Sequence, residues 1–130
     1  MLRAAIGALN RWVADGTAPP VAPRLQTVSI QPLQYATDGN GNVLGGIRTP
    51  AVDTPVAKLS GLGQSGQQFC VLFGTTTPFT PDQLAALYKN HGAFVSAWGH
   101  ATQDAVKAGF LVREDADLIR VVGAQSDIGK

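Results

Sequence analysis

Charge is what this sequence has least of. Only 15% of its 130 residues are Asp, Glu, Lys or Arg, against ~25% in ordinary soluble domains. The ten basic residues are scattered and leave a net charge of +1. No basic stripe stands ready to neutralise phosphates, so nucleic acid is not an expected partner. No apolar run approaches the ~18–20 residues of a membrane span, so no membrane association is expected either. Cysteine occurs once, at Cys70, which excludes an internal disulfide framework and favours the cytoplasm. Met1-Leu2-Arg3-Ala4-Ala5-Ile6 opens like a signal peptide. Asn10, Arg11 and Trp12 break the apolar region before it reaches signal length, and no Ala-x-Ala follows. The segment reads as a helix.

What is present is apolar and small: 45% hydrophobic residues, 15 glycines and 8 prolines. The length suits one domain over residues 1–130. Leu2, Ile6, Leu9 and Val13, with Ala5 and Trp12 beside them, recur at helical spacing. Gly16 supplies the stop and Pro19-Pro20 prevents resumption. A helix with such a stripe needs a partner, because each exposed large side chain forfeits roughly 1.5–3 kcal/mol. The stripe must fold onto the chain's own hairpin, pair with another copy or fray.

Residues 21–36 read as extended, with Thr27-Val28-Ser29-Ile30-Gln31 alternating like a half-buried strand. Asp38-Gly39-Asn40-Gly41-Asn42 carries two overlapping hairpin signals, and Val43-Leu44 is expected to begin the return strand. Residues 56–59 suit a short strand, and Ser60 to Gly66 a loop. Phe69 to Phe73 is a continuous apolar run, expected to be extended and buried, with Cys70 in the core. Thr80-Pro81-Asp82-Gln83 spells a capping box, so a helix should run from Pro81 to about Lys89. A second should run from Gly92 to Ala108. A third begins around Glu114, Asp115 and Asp117, carboxylates favoured at a helix start. Gly123 weakens its end, and the last five residues should fray. The fold class expected is α+β: an N-terminal helix, a hairpin-rich middle and a three-helix C-terminal third.

The groups able to do chemistry do not form a set. Only Ser65 of the five serines has glycines on both sides, but the second glycine of Gly63-Gln64-Ser65-Gly66 comes one place early for a nucleophile elbow. Gly61-Leu62-Gly63-Gln64-Ser65-Gly66 also spells a dinucleotide fingerprint. No helix is expected to open at its third glycine, and Asp82, near the distance of a ribose-binding acid, sits in the capping box. No cofactor is expected. His91 and His100 are nine residues apart, about 900° around a helix, hence on opposite faces. With Cys70 the only other soft ligand, no zinc site is expected. His100 and Asp104 stand at i, i+4 and read as a surface pair. Asp38, Asn40 and Asn42 mimic the first oxygens of a calcium loop, but Val43 and Thr49 occupy its glycine and glutamate positions. No metal is expected.

Residues 45–56, Gly-Gly-Ile-Arg-Thr-Pro-Ala-Val-Asp-Thr-Pro-Val, are the most distinctive stretch. With Ala8-Leu9-Asn10-Arg11-Trp12-Val13-Ala14-Asp15-Gly16 and Cys70-Val71-Leu72-Phe73-Gly74, they resemble the C-terminal part of a bacterial family of α/β-hydrolase-domain proteins, hydrolases of carboxylic esters or amides. The resemblance implies a partial α/β-hydrolase whose serine elbow and catalytic histidine lie before Met1, and no catalytic residue carries over to this chain. It implies a structural role for Gly45, Gly46, Arg48, Pro50, Asp53 and Pro55, with Arg48 and Asp53 as a pair. The stripe of the first helix would then face a parallel sheet. The chain is expected to be inactive alone and to partner an N-terminal hydrolase half or a second copy of itself. The alternatives are a non-enzymatic, self-associating interaction module and, least, a small hydrolase using Ser65.

Overall fold

The chain is described over residues 1–130 by a computed structural model. It comprises α1 (Leu2–Asp15), β1 (Thr27–Ile30), β2 (Leu33–Tyr35), α2 (Pro50–Asp53), β3 (Ala57–Ser60), a 3₁₀ turn at Cys70–Leu72, β4 (Thr75–Pro78), α3 (Pro81–Leu87), α4 (His91–Lys107) and α5 (Arg113–Gln125). The architecture is the mixed one expected: one helix, a middle built on hairpins, then three helices.

Each boundary has a local cause. Gly16 ends α1 in the left-handed region (φ 77°), its N–H donating to the Trp12 carbonyl at 3.0 Å. Thr80 and Gln83 close a reciprocal capping box on α3, with Pro81 at its first position. Asn90 caps α4 by accepting from Ala93 N–H at 2.9 Å.

The strands form two separate antiparallel pairs, β1–β2 and β3–β4. The first hairpin turns at Gln31-Pro32, whose peptide is cis, so the return strand is Leu33–Tyr35 rather than Val43-Leu44. Val43 still bridges Thr37 across the Asp38–Asn42 turn, and Leu44 donates its N–H to the Ala36 carbonyl and accepts from Gln26 N–H. The β1 strand is not half-buried: Val28 and Ile30 both stand in solvent.

The core lies where α4 meets α5 and the short α2. Phe94, Ala101, Ala105, Leu111 and Ala116 are buried there, and Tyr88 and Trp98 pack against Phe94. Trp98 donates its indole N–H to the Ile119 carbonyl at 2.7 Å. Its ring lies against Gly123, so this glycine, in the last turn of α5, makes room for the aromatic. The C-terminal residues are held rather than frayed. The Gly129 carbonyl accepts from His91 N–H at 2.8 Å, and a side chain at Gly129 would strike the Asn90–His91 peptide.

Two expectations fail together at Phe69–Phe73. The run is a 3₁₀ turn, not a strand, and Phe69, Val71, Leu72 and Phe73 are all exposed, as is Cys70. An apolar run is buried only when something packs on it, and nothing in these 130 residues does.

Gly123 and Gly99 form a controlled comparison within two packed helices. Ala at Gly123 should cost about 1–3 kcal/mol through collision with Trp98. Ala at Gly99, which has open space around it, should stabilise by about 1 kcal/mol through helix propensity. Thermal and urea melts of both variants check this, and equal effects would contradict it.

Candidate functional site

The distinctive stretch folds into a knot around one guanidinium. Asp38 starts it: its Oδ1 accepts from the N–H groups of Asn40 (2.9 Å) and Asn42 (3.0 Å), tightening the turn. Its Oδ2 lies 3.2 Å from Arg48 Nη2. Arg48 Nε bonds Asp53, Nη1 donates to the Val43 carbonyl at 3.0 Å, and Nη2 also reaches the Val52 carbonyl at 3.4 Å. The planar fork of donors thus ties four points between residues 38 and 53 to one centre. The Asp53 hydrogen bond, reinforced by Asp38, holds the guanidinium proton more tightly than usual.

The remaining motif residues shape the backbone around that centre. Gly45 and Gly46 both take left-handed conformations, φ 81° and 70°. A Cβ on Gly45 would run into the Arg24 carbonyl, and one on Gly46 would sit 2.7 Å from Leu25 Cδ2. Gly45 is therefore required twice over, by conformation and by the approach of backbone, and Gly46 by its conformation. Pro50 opens α2 and is buried against the body. The buried Pro55 offers its carbonyl to the Tyr88 hydroxyl at 2.9 Å, fastening the knot to the helical core.

Asn42 is the residue that sequence reasoning missed. Taken for a turn former, it is 1% exposed. Its Nδ2 donates to the Ala57 carbonyl at 3.2 Å, and its Oδ1 accepts from Leu59 N–H at 2.7 Å. It staples the turn to β3 as another strand would. Asp38 was likewise not expected as the second acid on Arg48.

The reactive groups elsewhere stand apart. Ser65 lies exposed on the irregular loop after β3, five residues beyond the strand's end and with no helix opening at it. His91 is bracketed by two carbonyl oxygens, Nδ1 at 2.9 Å from Ile128 and Nε2 at 3.1 Å from Ala124. His100 is exposed on α4, and Asp104 pairs with Lys107 at 3.3 Å, not with His100. Asp38 gives its oxygens to two backbone N–H groups and to a guanidinium, so they are engaged in holding the turn. Beside the knot lies a cleft of about 440 Å³, lined by Gly45, Gly46, Leu25, Ser60, Phe73 and Thr75. The hydroxyls of Ser60 and Thr75 both donate to the Leu62 carbonyl at 3.1 Å. Both are committed to holding their loop.

Comparison with known families decides the assignment. The family described as "Alpha/beta hydrolase domain" matches residues 1–120, a span that takes in α1, the knot and most of the helical third. The chain belongs to the alpha/beta hydrolase domain family. No curated protein and no solved structure matches it. Within this hydrolase-domain chain no helix is long and apolar enough to cross a membrane.

Two consequences follow for stability. Arg48→Ala should lower it by about 1–3 kcal/mol through unmade hydrogen bonds. Arg48→Lys should recover little, since an ammonium cannot reach four partners at once. A double-mutant cycle with Asp53→Ala should show coupling of at least ~0.5 kcal/mol; a lysine variant that melts like wild type would contradict the fork geometry. For Tyr88, burial pushes the phenol up to about 12, whereas an unfolded tyrosine titrates near ~10. The folded chain holds this proton longer, so the contribution is intact below pH 10 and lost as pH rises to 12. Alkaline melts of wild type should fall more steeply in that window than those of Tyr88→Phe; parallel curves would refute the assignment.

Proposed function

We propose that this chain is the non-catalytic portion of a bacterial carboxylic-ester hydrolase. The nucleophile and its base are supplied by polypeptide outside these 130 residues. The observation that carries this reading is surface. The chain exposes 8868 Å², where a compact monomer of 13.5 kDa would expose roughly 6,500 Å². Much of the excess is apolar, notably Phe69, Val71, Leu72 and Phe73, side chains that belong under other protein. The Arg48 knot then holds an irregular, proline-rich segment rigid so that this face and the cleft beside it keep their shape. Ester chemistry rests on the resemblance of residues 45–56 to ester and amide hydrolases and on the family assignment. A cytoplasmic location is supported by an exposed free thiol at Cys70, which persists most readily where thiols stay reduced.

The chain alone should hydrolyse short p-nitrophenyl esters no faster than a heat-denatured sample. Turnover abolished by Ser65→Ala would overturn the proposal and make the chain a hydrolase in its own right.

A further inference from the structure

His91 begins α4, yet its side chain serves the far end of α5 and the segment beyond it. Nδ1 lies 2.9 Å from the Ile128 carbonyl oxygen and Nε2 3.1 Å from that of Ala124. Both partners are acceptors only. A neutral imidazole carries one N–H and one lone pair, so it satisfies one of these contacts and sets a lone pair against the other oxygen. An imidazolium carries two N–H groups and satisfies both. Ala124 lies in the last turn of α5, where carbonyls lack intrahelical partners and the helix end is negative, so a cation is favoured there. The positive start of α4 opposes it, but two hydrogen bonds from a charged donor are the stronger effect.

The segment that the ring touches has few other attachments. Residues 126–130 meet α4 through one further hydrogen bond, from His91 N–H to the Gly129 carbonyl at 2.8 Å. Their remaining hydrogen bonds are local, joining Ser126 to Gly123 and Lys130 to Asp127. The charged groups around the ring are Asp127 and Lys130, paired at 2.9 Å, and Lys89 just before α4. No charged side chain follows Arg120 in α5. Lys130, and to a lesser degree His91 itself, holds the Asp127 carboxyl below its usual range. Asp127 therefore stays ionised throughout the range in which imidazoles titrate and adds no step of its own there.

We propose that His91 is a pH-sensitive latch: the protonated ring clasps residues 126–130 onto the start of α4, and its deprotonation releases them. The docked segment favours the second ring proton, so the clasp is complete at low pH and weakens as pH rises through the imidazole range. The inference is independent of the hydrolase reading, since it uses no residue of the Arg48 knot or of the exposed run at 69–73.

The His91 amide is a clean reporter. As the first amide of α4 it has no partner within the helix, so its protection from hydrogen exchange records only the Gly129 contact. Between about pH 5 and about pH 8 its protection, taken relative to an unstructured chain at the same pH, should fall by about tenfold, the size of one hydrogen bond to a charged group. The Phe94 amide, bonded to the Asn90 carbonyl at 3.2 Å, should keep its own. His91→Gln should remove the step, while His100→Gln, which alters the chain's other imidazole, should leave it in place. Equal protection at both pH values, a step that survives His91→Gln, or one that vanishes with His100→Gln would overturn the proposal. If His91→Gln does not fold, ring-nitrogen magnetic resonance spectra of the wild-type chain decide. Both ring nitrogens should carry protons while the segment is docked, and a neutral ring in the docked chain would refute the latch.

Discussion

One guanidinium determines the middle of this molecule. Between α1 and the helical third lie some sixty residues with only short strand pairs, too few to hold a backbone by ladder hydrogen bonds alone. Arg48 takes over that work. By engaging Asp38, Asp53 and the carbonyls of Val43 and Val52, it closes a loop that would otherwise carry unpaired carbonyls into a partly buried place. Around it the other features become necessary. Gly45 must be glycine because the chain doubles back against the Arg24 backbone, Gly46 because its φ is left-handed, and Asn42 must reach β3 because no strand lies there to do so.

The knot matters because the helices give it somewhere to attach. Tyr88 reaches Pro55, α2 lies on α4, and α4 is locked to α5 by Trp98 seated over Gly123. Small residues dominate these contacts: Ala57, Ala101, Ala105 and Ala116 are buried, while most large aliphatic side chains are outside. Alanine contacts let backbones approach closely but bury little area per residue. The chain thus combines a tight, modest core with an unusually apolar exterior. That combination is the observation on which the proposed covering by other protein rests.

What the sequence disclosed was local. The capping box at Thr80–Gln83, the stop at Gly16 and the Arg48–Asp53 pair all involve residues within five of one another, where spacing alone fixes geometry. What it concealed depended on distance. Asp38 is ten residues from Arg48, and Asn42 is fifteen and seventeen from its partners, so neither contact leaves a periodic trace. Asp38–Asn42 carries the hairpin signals, yet the tighter turn forms at Gln31-Pro32, inside a stretch that reads as extended. Phe69–Phe73 misled for a different reason. Hydrophobicity reports a preference for burial, and whether burial occurs depends on a covering surface that the run itself does not encode.

The central claim is that Arg48 makes residues 38–59 one cooperative unit. Native-state hydrogen exchange on wild type and Arg48→Ala tests it most directly. The amides to follow are Asn42, Leu44, Gly46, Thr54 and Leu59, each an internal donor. The account predicts that all five lose protection together in the variant while amides of α4 and α5 keep theirs. Loss confined to the immediate neighbours of Arg48, with Asn42 and Leu59 still protected, would contradict it.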